Sequence, residues 1–208
     1  MPEVYNLRDG PGAVLRIGVF GGTFNPIHHG HLICAAHVRD EYALDTVLFV
    51  PSKRPVHKEI KSVGLAEERA RMIELAIEGD DRFALSRMEL DRKEESYTIL
   101  TVRRILADVR DSNVFLVIGA DSYAEFHTWK EYGELLGLVT LIVMNRPGVA
   151  PLNEHLAGLG ARVEFASNPY IGISSSEIRN RLHSGRGIRY LVPEPVECYI
   201  HEKGLYLS

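Results

Sequence analysis

Leu15-Arg16-Ile17-Gly18-Val19-Phe20, followed by Gly21-Gly22-Thr23-Phe24-Asn25-Pro26-Ile27-His28-His29-Gly30-His31-Leu32, decides how this chain is read. The first six residues are a short run with β-branched and aromatic side chains, predicted as a strand that stops at paired glycines. A helix is predicted from Leu32 to Tyr42. Glycines at a strand end let backbone N–H groups approach an anion closely, and a following helix adds its positive end. The segment matches neither the dinucleotide fingerprint G-x-G-x-x-G nor the P-loop, which needs G-x-x-x-x-G-K-[ST].

Three further runs have strand character: Val47 to Val50, Val114 to Ile118 and Leu138 to Met144. The last two are almost wholly apolar, as expected of strands covered by helices on both faces. Between them, Met72, Ile73, Ala76 and Ile77 recur at helical spacing after Leu65, as do Ile99, Val102, Leu106 and Val109 before the third run. Such alternation predicts an α/β fold with a doubly wound, mostly parallel sheet and helices on both faces. No repeat or linker divides it, so residues 15–208 are expected to form one domain. Residues 1–14 are polar and Gly/Pro-containing, and are expected to form a loose extension. The ligand should bind in loops beyond the strand ends.

Hydrophobic residues make up 45% of the 208 and charged residues 25%, which excludes a mainly disordered or collagen-like chain. The net charge of −4 gives no basic field of the kind that marks a nucleic-acid binder. No apolar run is long enough to span a membrane, and the polar stretch before the first strand is expected to be neither a signal peptide nor an anchor. Cys34 and Cys198 form no C-x-x-C pair and are expected to be reduced thiols in a cytoplasmic protein.

His28 and His31 are three residues apart, a spacing open to metal binding. No Cys or carboxylate within the segment completes a ligand set, so the preferred reading is two imidazoles facing phosphate, with protonated rings supplying both donors and charge. His29 is expected to face elsewhere. Further on, Ser174-x-x-Glu177 is a capping box, with Ile173 and Ile178 placed for a hydrophobic staple. A well-capped helix alone explains that pattern. The alternative adds N–H groups near Ser175 and Ser176, and Arg179 one turn on, all aimed at phosphate. Lys53, Arg54, His57 and Lys58 form a basic loop that, taken alone, reads as a solvated face. Trp129, taken alone, reads as a core residue.

H-x-G-H after a glycine-rich strand end, together with Ile173-Ser174-Ser175-Ser176-Glu177-Ile178-Arg179, resembles the nucleotidyltransferase superfamily. Pro51 through His57-Lys58, Ser96-Tyr97-Thr98, Ile118-Gly119-Ala120-Asp121-Ser122, Trp129, Arg146-Pro147-Gly148 and Leu191-Val192-Pro193-Glu194-Pro195 resemble its bacterial nicotinate mononucleotide adenylyltransferase branch. The likeness runs from about Arg16 to the C-terminus. Val56 and Val149 depart from the branch, which often has a proline and an aromatic residue there.

The resemblance implies transfer of the adenylyl group of ATP to nicotinic acid mononucleotide, giving deamido-NAD and pyrophosphate. It implies ATP binding by Gly21, Gly22, Thr23, Phe24, His28, Gly30, His31, Ile173, Ser174, Ser175, Ser176 and Arg179. His28, His31 and Arg179 would be the catalytic set. It implies mononucleotide binding by Lys58, Tyr97, Thr98, Asp121, Trp129 and Arg146. Of these, Trp129 would stack on the pyridine ring, the Thr98 loop would meet the nicotinate carboxylate, and Asp121 would contact ribose. Mg²⁺ is expected with ATP, with no tightly bound cofactor and no metal held by the protein. No nucleic-acid or membrane partner is expected, and there is room for a homo-oligomer. Two other readings stay open: a pantetheine-phosphate adenylyltransferase or cytidylyltransferase of the same superfamily, and a nucleotide-binding regulator without turnover.

Overall fold

The computed structural model describes residues 14–53, 65–145, 153–156 and 158–207. Arg54, Val56, His57, Lys58, Arg146 and Val149 therefore lie outside the described residues, as does the N-terminal extension apart from Val14.

Among the described residues six strands form one sheet in the order β3-β2-β1-β4-β5-β6. They are β1 (Leu15–Gly22), β2 (Thr46–Pro51), β3 (Phe83–Leu85), β4 (Ser112–Gly119), β5 (Val139–Met144) and β6 (Arg162–Ala166). Every neighbouring pair is parallel. β1 is central, with Ile17 opposite Thr46 on one side and Val114 on the other. The helices are α1 (His29–Glu41), α2 (Leu65–Ile77), α3 (Thr98–Asp108), α4 (Ala120–Ala124), α5 (Tyr132–Leu138), α6 (Ser175–His183) and α7 (Glu194–Glu202).

The period-2 geometry of the strands sorts their side chains to two faces. Ile17, Val19, Leu48, Leu116 and Leu141 point to one face, against Ile99, Val102 and Ile105 of α3 and Leu135 of α5. Phe20, Val47, Phe49, Val117 and Ile142 point to the other. There they meet Ala35 and Val38 of α1, Met72 and Ile73 of α2, Ile178 of α6, and Val196 and Ile200 of α7. Burying each large side chain is worth about 1.5–3 kcal/mol, so both faces must be covered. The expected doubly wound α/β sheet is found. No helix among the described residues is long and apolar enough to cross a membrane. Cys34 and Cys198 are not joined by a disulfide.

Several boundaries differ from the sequence reading. β1 runs on through Gly21 and Gly22, which pair with Val50 and Pro51. Helix α1 begins at His29 rather than Leu32, because His28 is extended (φ −150°, ψ 168°) and serves as its N-cap. It ends at Glu41, with Tyr42 as C-cap, and β5 starts at Val139 because Leu138 closes α5. The two edge strands were not read from sequence. β3 is three residues long, and β6 is largely exposed, so neither carries a continuous apolar run.

Glu89 is buried at the start of α3, where it accepts a hydrogen bond from Thr101 Oγ1 at 2.9 Å. Burial pushes its carboxyl above the ordinary range, against the pull of the Thr101 and Ser96 hydroxyls and of Arg92. A carboxyl whose native pKa is raised binds its proton more tightly when folded. Its contribution favours folding at low pH and is lost as pH rises through the raised value. Glu89→Gln keeps an acceptor without the charge, so it should melt above the wild type at pH 7. That advantage should vanish as pH falls to the ordinary glutamate value of about 4.3. Thermal melts from pH 4 to 8 read this directly, and a gap independent of pH would show the carboxyl is not its source.

Candidate active site

The chain leaves β1 toward β2 and leaves β4 toward β5, so the winding reverses between these adjacent strands. Open parallel sheets form a crevice beyond their carboxyl ends at such a point. Here a cleft of about 750 Å³ opens there. Thr23, Phe24 and Asn25 after β1 line it, with Asp121 and Ser122 after β4, and Ser174, Ser175 and Ser176 at the start of α6.

The turn after β1 is set by packing. Phe24 is left-handed (φ 47°), a costly conformation for an aromatic residue, and its ring is buried. A Cβ on Gly22 would sit 2.9 Å from the edge of that ring, so glycine is required. The Phe24 ring meets Phe20 at 5.5 Å, Phe49 at 5.6 Å and the His31 imidazole at 5.0 Å, all edge-on. His31 in turn stacks on His28 at 3.7 Å with the rings 22° apart. Both imidazoles line the cleft, whereas His29 does not. The His29 amide instead donates to Leu191 O (3.0 Å), which gives the Leu191–Pro195 segment a structural task.

The His28 amide donates to His31 Nδ1 at 3.3 Å. A ring that accepts at Nδ1 carries its proton on Nε2.

Helix α6 supplies the facing wall. Ser174 is its N-cap (φ −132°, ψ 146°), and its Oγ accepts from the Glu177 amide at 3.1 Å. Ile173 packs on the cluster that buries Ile178, as a staple requires. Ser175 Oγ donates to Pro26 O at 2.9 Å. Arg179 Nη1 donates to Asn25 O at 2.7 Å, and Nη2 to Ser176 Oγ at 3.2 Å. Ser175 and Arg179 thus hold the turn after β1 while their helix start faces the cleft. Two helix N-termini, those of α1 and α6, converge on one space.

Thr23, Phe24, His28, Gly30, His31, Ile173, Ser174, Ser175, Ser176, Arg179 and Asp121 therefore all line the cleft. Gly21 and Gly22 end β1 without lining it. Tyr97, Thr98 and Trp129 do not line it either. Tyr97 and Trp129 are half-buried against the α3–α5 side of the core, with Trp129 on Phe126 at 4.9 Å. Lys58 and Arg146 lie outside the described residues. No group of three or more His, Cys, Asp or Glu side chains among the described residues is placed to hold a metal.

Three site residues were not singled out by sequence reasoning. Arg69 is fully buried in α2 and donates to Thr23 O and Ser52 O, both at 2.7 Å. Burial lowers its pKa from the usual guanidinium value. It stands on the apolar stripe of Met72, Ile73 and Ala76, and a charge at that spacing was a readable signal. Asn168 is buried and ties β5 to the loop after β6, accepting from the Asn145 amide at 2.8 Å and donating to Pro169 O at 3.2 Å. Tyr206 reaches the cleft from beyond α7. Neither of these two had a local signal.

A parallel doubly wound sheet, with two helix ends and paired histidines at its reversal point, is suited to holding a phosphorylated ligand. The cytidylyltransferase-like family model matches residues 19–181, and the chain belongs to that family. A probable nicotinate-nucleotide adenylyltransferase of Thermus thermophilus is 46% identical over 192 residues, covering 92% of this chain and 100% of that protein. One from Geobacillus thermodenitrificans is 43% identical, covering 92% and 86%. Within the family the chain is thus a member of the nicotinate-nucleotide adenylyltransferases. In fold it is similar to Plasmodium falciparum nicotinic acid mononucleotide adenylyltransferase complexed with NaAD (TM-score 0.76, 18% identity, covering 92% and 97% of the two chains).

Arg179 has two tasks, so its removal should register twice. Arg179→Ala leaves Asn25 O without its donor, a loss of about 1–3 kcal/mol in stability where the group is buried. It also removes a cation from the cleft, so KM for the nucleotide should rise, and added salt should narrow the difference from wild type. Melting and steady-state kinetics test both. A normal KM together with a lowered melting temperature would confine Arg179 to the structural task.

Proposed function

We propose that this chain transfers the adenylyl group of ATP to nicotinic acid mononucleotide, releasing pyrophosphate and forming deamido-NAD for NAD biosynthesis. The convergence of the α1 and α6 N-termini with His31 and Arg179 on one cleft carries this reading. The solved Plasmodium relative, complexed with NaAD, is in accord with it. We further propose that the chain from about residue 15 works as one unit in the cytoplasm.

A phosphate oxygen of the mononucleotide attacks the α-phosphorus of ATP, and the bond to the β-phosphate bridging oxygen breaks. The attacking phosphate is already ionised, so the step needs no base. Its barrier is crowded negative charge, and catalysis is positioning plus electrostatic stabilisation. His28 and His31 face the growing charge, while the α6 start and Arg179 hold the triphosphate. Mg²⁺ carried in with ATP would offset charge on the leaving pyrophosphate.

The acceptor is proposed to lie toward Tyr97, Thr98, Asp121 and Trp129, with Lys58 and Arg146 near its phosphate. Helix α3 begins at Thr98, and its N-cap Tyr97 places no side-chain oxygen over the helix end. A carboxylate accepts hydrogen bonds from such an end, whereas an amide brings two donors of its own. Trp129, packed on Phe126, would stack with the pyridine ring.

Pyrophosphate release and product identification with ATP and each mononucleotide test the reading. The acid should exceed the amide in kcat/KM by about ten- to a hundredfold. Equal efficiency would refute the acid preference, and no pyrophosphate from either would refute adenylyl transfer. His31→Ala should lower kcat by about a hundredfold with ATP affinity nearly kept, since a donor to transition-state charge is typically worth that much. Near-normal turnover in a folded His31→Ala protein would remove His31 from catalysis.

A further inference from the structure

The tail beyond α7 is directed by a specific turn. The Gly204 amide donates to His201 O (3.2 Å) and the Leu205 amide to Ile200 O (2.9 Å), with Gly204 left-handed at φ 62°. This is the Schellman arrangement that stops a helix and reverses the chain. Leu205 then packs on the core, and the next residue, Tyr206, is also left-handed, at φ 64°. An aromatic residue held in that region is strained, and such strain persists where the surroundings fix it.

What fixes it is the cleft. The Tyr206 side chain lines the cleft, and its hydroxyl donates to Asn25 Oδ1. Asn25 is part of the turn after β1 and also lines the cleft, and its backbone oxygen is held by Arg179. An amide whose oxygen is engaged by a hydroxyl presents its NH₂ the opposite way, because the two groups diverge from one carbon. Asn25 lines the same cleft as His28, His31, Ser175 and Arg179, and its NH₂ is the amide group that Tyr206 does not engage.

We propose that Tyr206 is a positioning residue that locks the Asn25 side chain so that its NH₂ donates to a phosphate of the bound nucleoside triphosphate. The inference rests on the nucleotide reading of the cleft and adds a ligand-binding group and its support to it. Burial holds the Tyr206 phenol well above its ordinary pKa, although Arg179 and Arg69 nearby pull it down. The hydroxyl therefore keeps its proton and stays a donor. Arg69 holds Thr23 O two residues earlier, so the Asn25 backbone is fixed independently of Tyr206.

The test uses the full chain and reads ATP affinity by equilibrium titration alongside steady-state kinetics. Tyr206→Phe keeps the ring and removes only the hydroxyl, and should weaken ATP binding about five- to tenfold, the size of one neutral hydrogen bond. Asn25→Asp keeps an oxygen for Tyr206 but replaces the donor with an anion, and should weaken it by more than tenfold. Asn25→Ala and Tyr206→Phe/Asn25→Ala should weaken ATP binding equally, so that the two losses do not add, because one residue acts through the other. KM for the mononucleotide should change less than KM for ATP. ATP affinity within twofold of wild type in Tyr206→Phe, or in Asn25→Asp, overturns the proposal, as does full additivity in the double variant. A wild type that binds ATP but releases no pyrophosphate would refute the transferase reading, while the affinities would still judge Tyr206 and Asn25.

Discussion

Backbone oxygens of the turn between β1 and α1 must be satisfied, and the site depends on how they are. The turn cannot use the sheet ladder, which ends at Gly22, nor the helix, which begins at His29. A buried carbonyl left unpaired costs about 1–3 kcal/mol, so donors must come from elsewhere in the fold. They come from Arg69 of α2 for Thr23 O, Arg179 of α6 for Asn25 O, and Ser175 of α6 for Pro26 O. The two bonds from α6 also bring the start of that helix against the cleft. Satisfying the turn therefore places the α6 start opposite the histidines.

The two sheet faces divide the work. α1 and α6 pack on one face and frame the cleft, while α3, Phe126 and Trp129 belong to the cluster on the other. Asp121 stands between them, following β4 in the first turn of α4. A two-substrate enzyme built on such a sheet has its reacting groups meet over the strand ends, where neither helix layer intervenes. Glu89 shows the cost of the second side: a carboxyl is buried there and held by Thr101, close in sequence to the Ser96–Thr98 segment.

The central strands were legible because a parallel sheet covered on both faces writes itself as unbroken apolar runs. The edges were not, since Phe83–Leu85 is too short and Arg162–Ala166 is mostly exposed. His28, His31 and Ser174 were legible because their roles are local: each acts within a few residues of a helix start. The start itself was misplaced by three residues, because an extended imidazole serving as N-cap is not a usual cap signal. Asn168 and Tyr206 act on partners more than 20 and more than 100 residues away, and spacing along the chain cannot announce such contacts. Arg69 lies between these cases, as its misplaced charge was visible but its partners were not.

The bonds that close the cleft join residues far apart in the chain. Ser175 and Pro26 are separated by 149 positions, Arg179 and Asn25 by 154, and Tyr206 and Asn25 by 181. Contacts of such long range bear the full loop-closure entropy and tend to form only after nearer ones have reduced it. The β1–β2 pairing and the helices near it need far shorter loops. During refolding, secondary structure should therefore return before the cleft does, and a compact intermediate with most of its sheet would be catalytically silent. Recovered activity then reports the final docking of the C-terminal third, a later event than the recovery of a circular-dichroism spectrum.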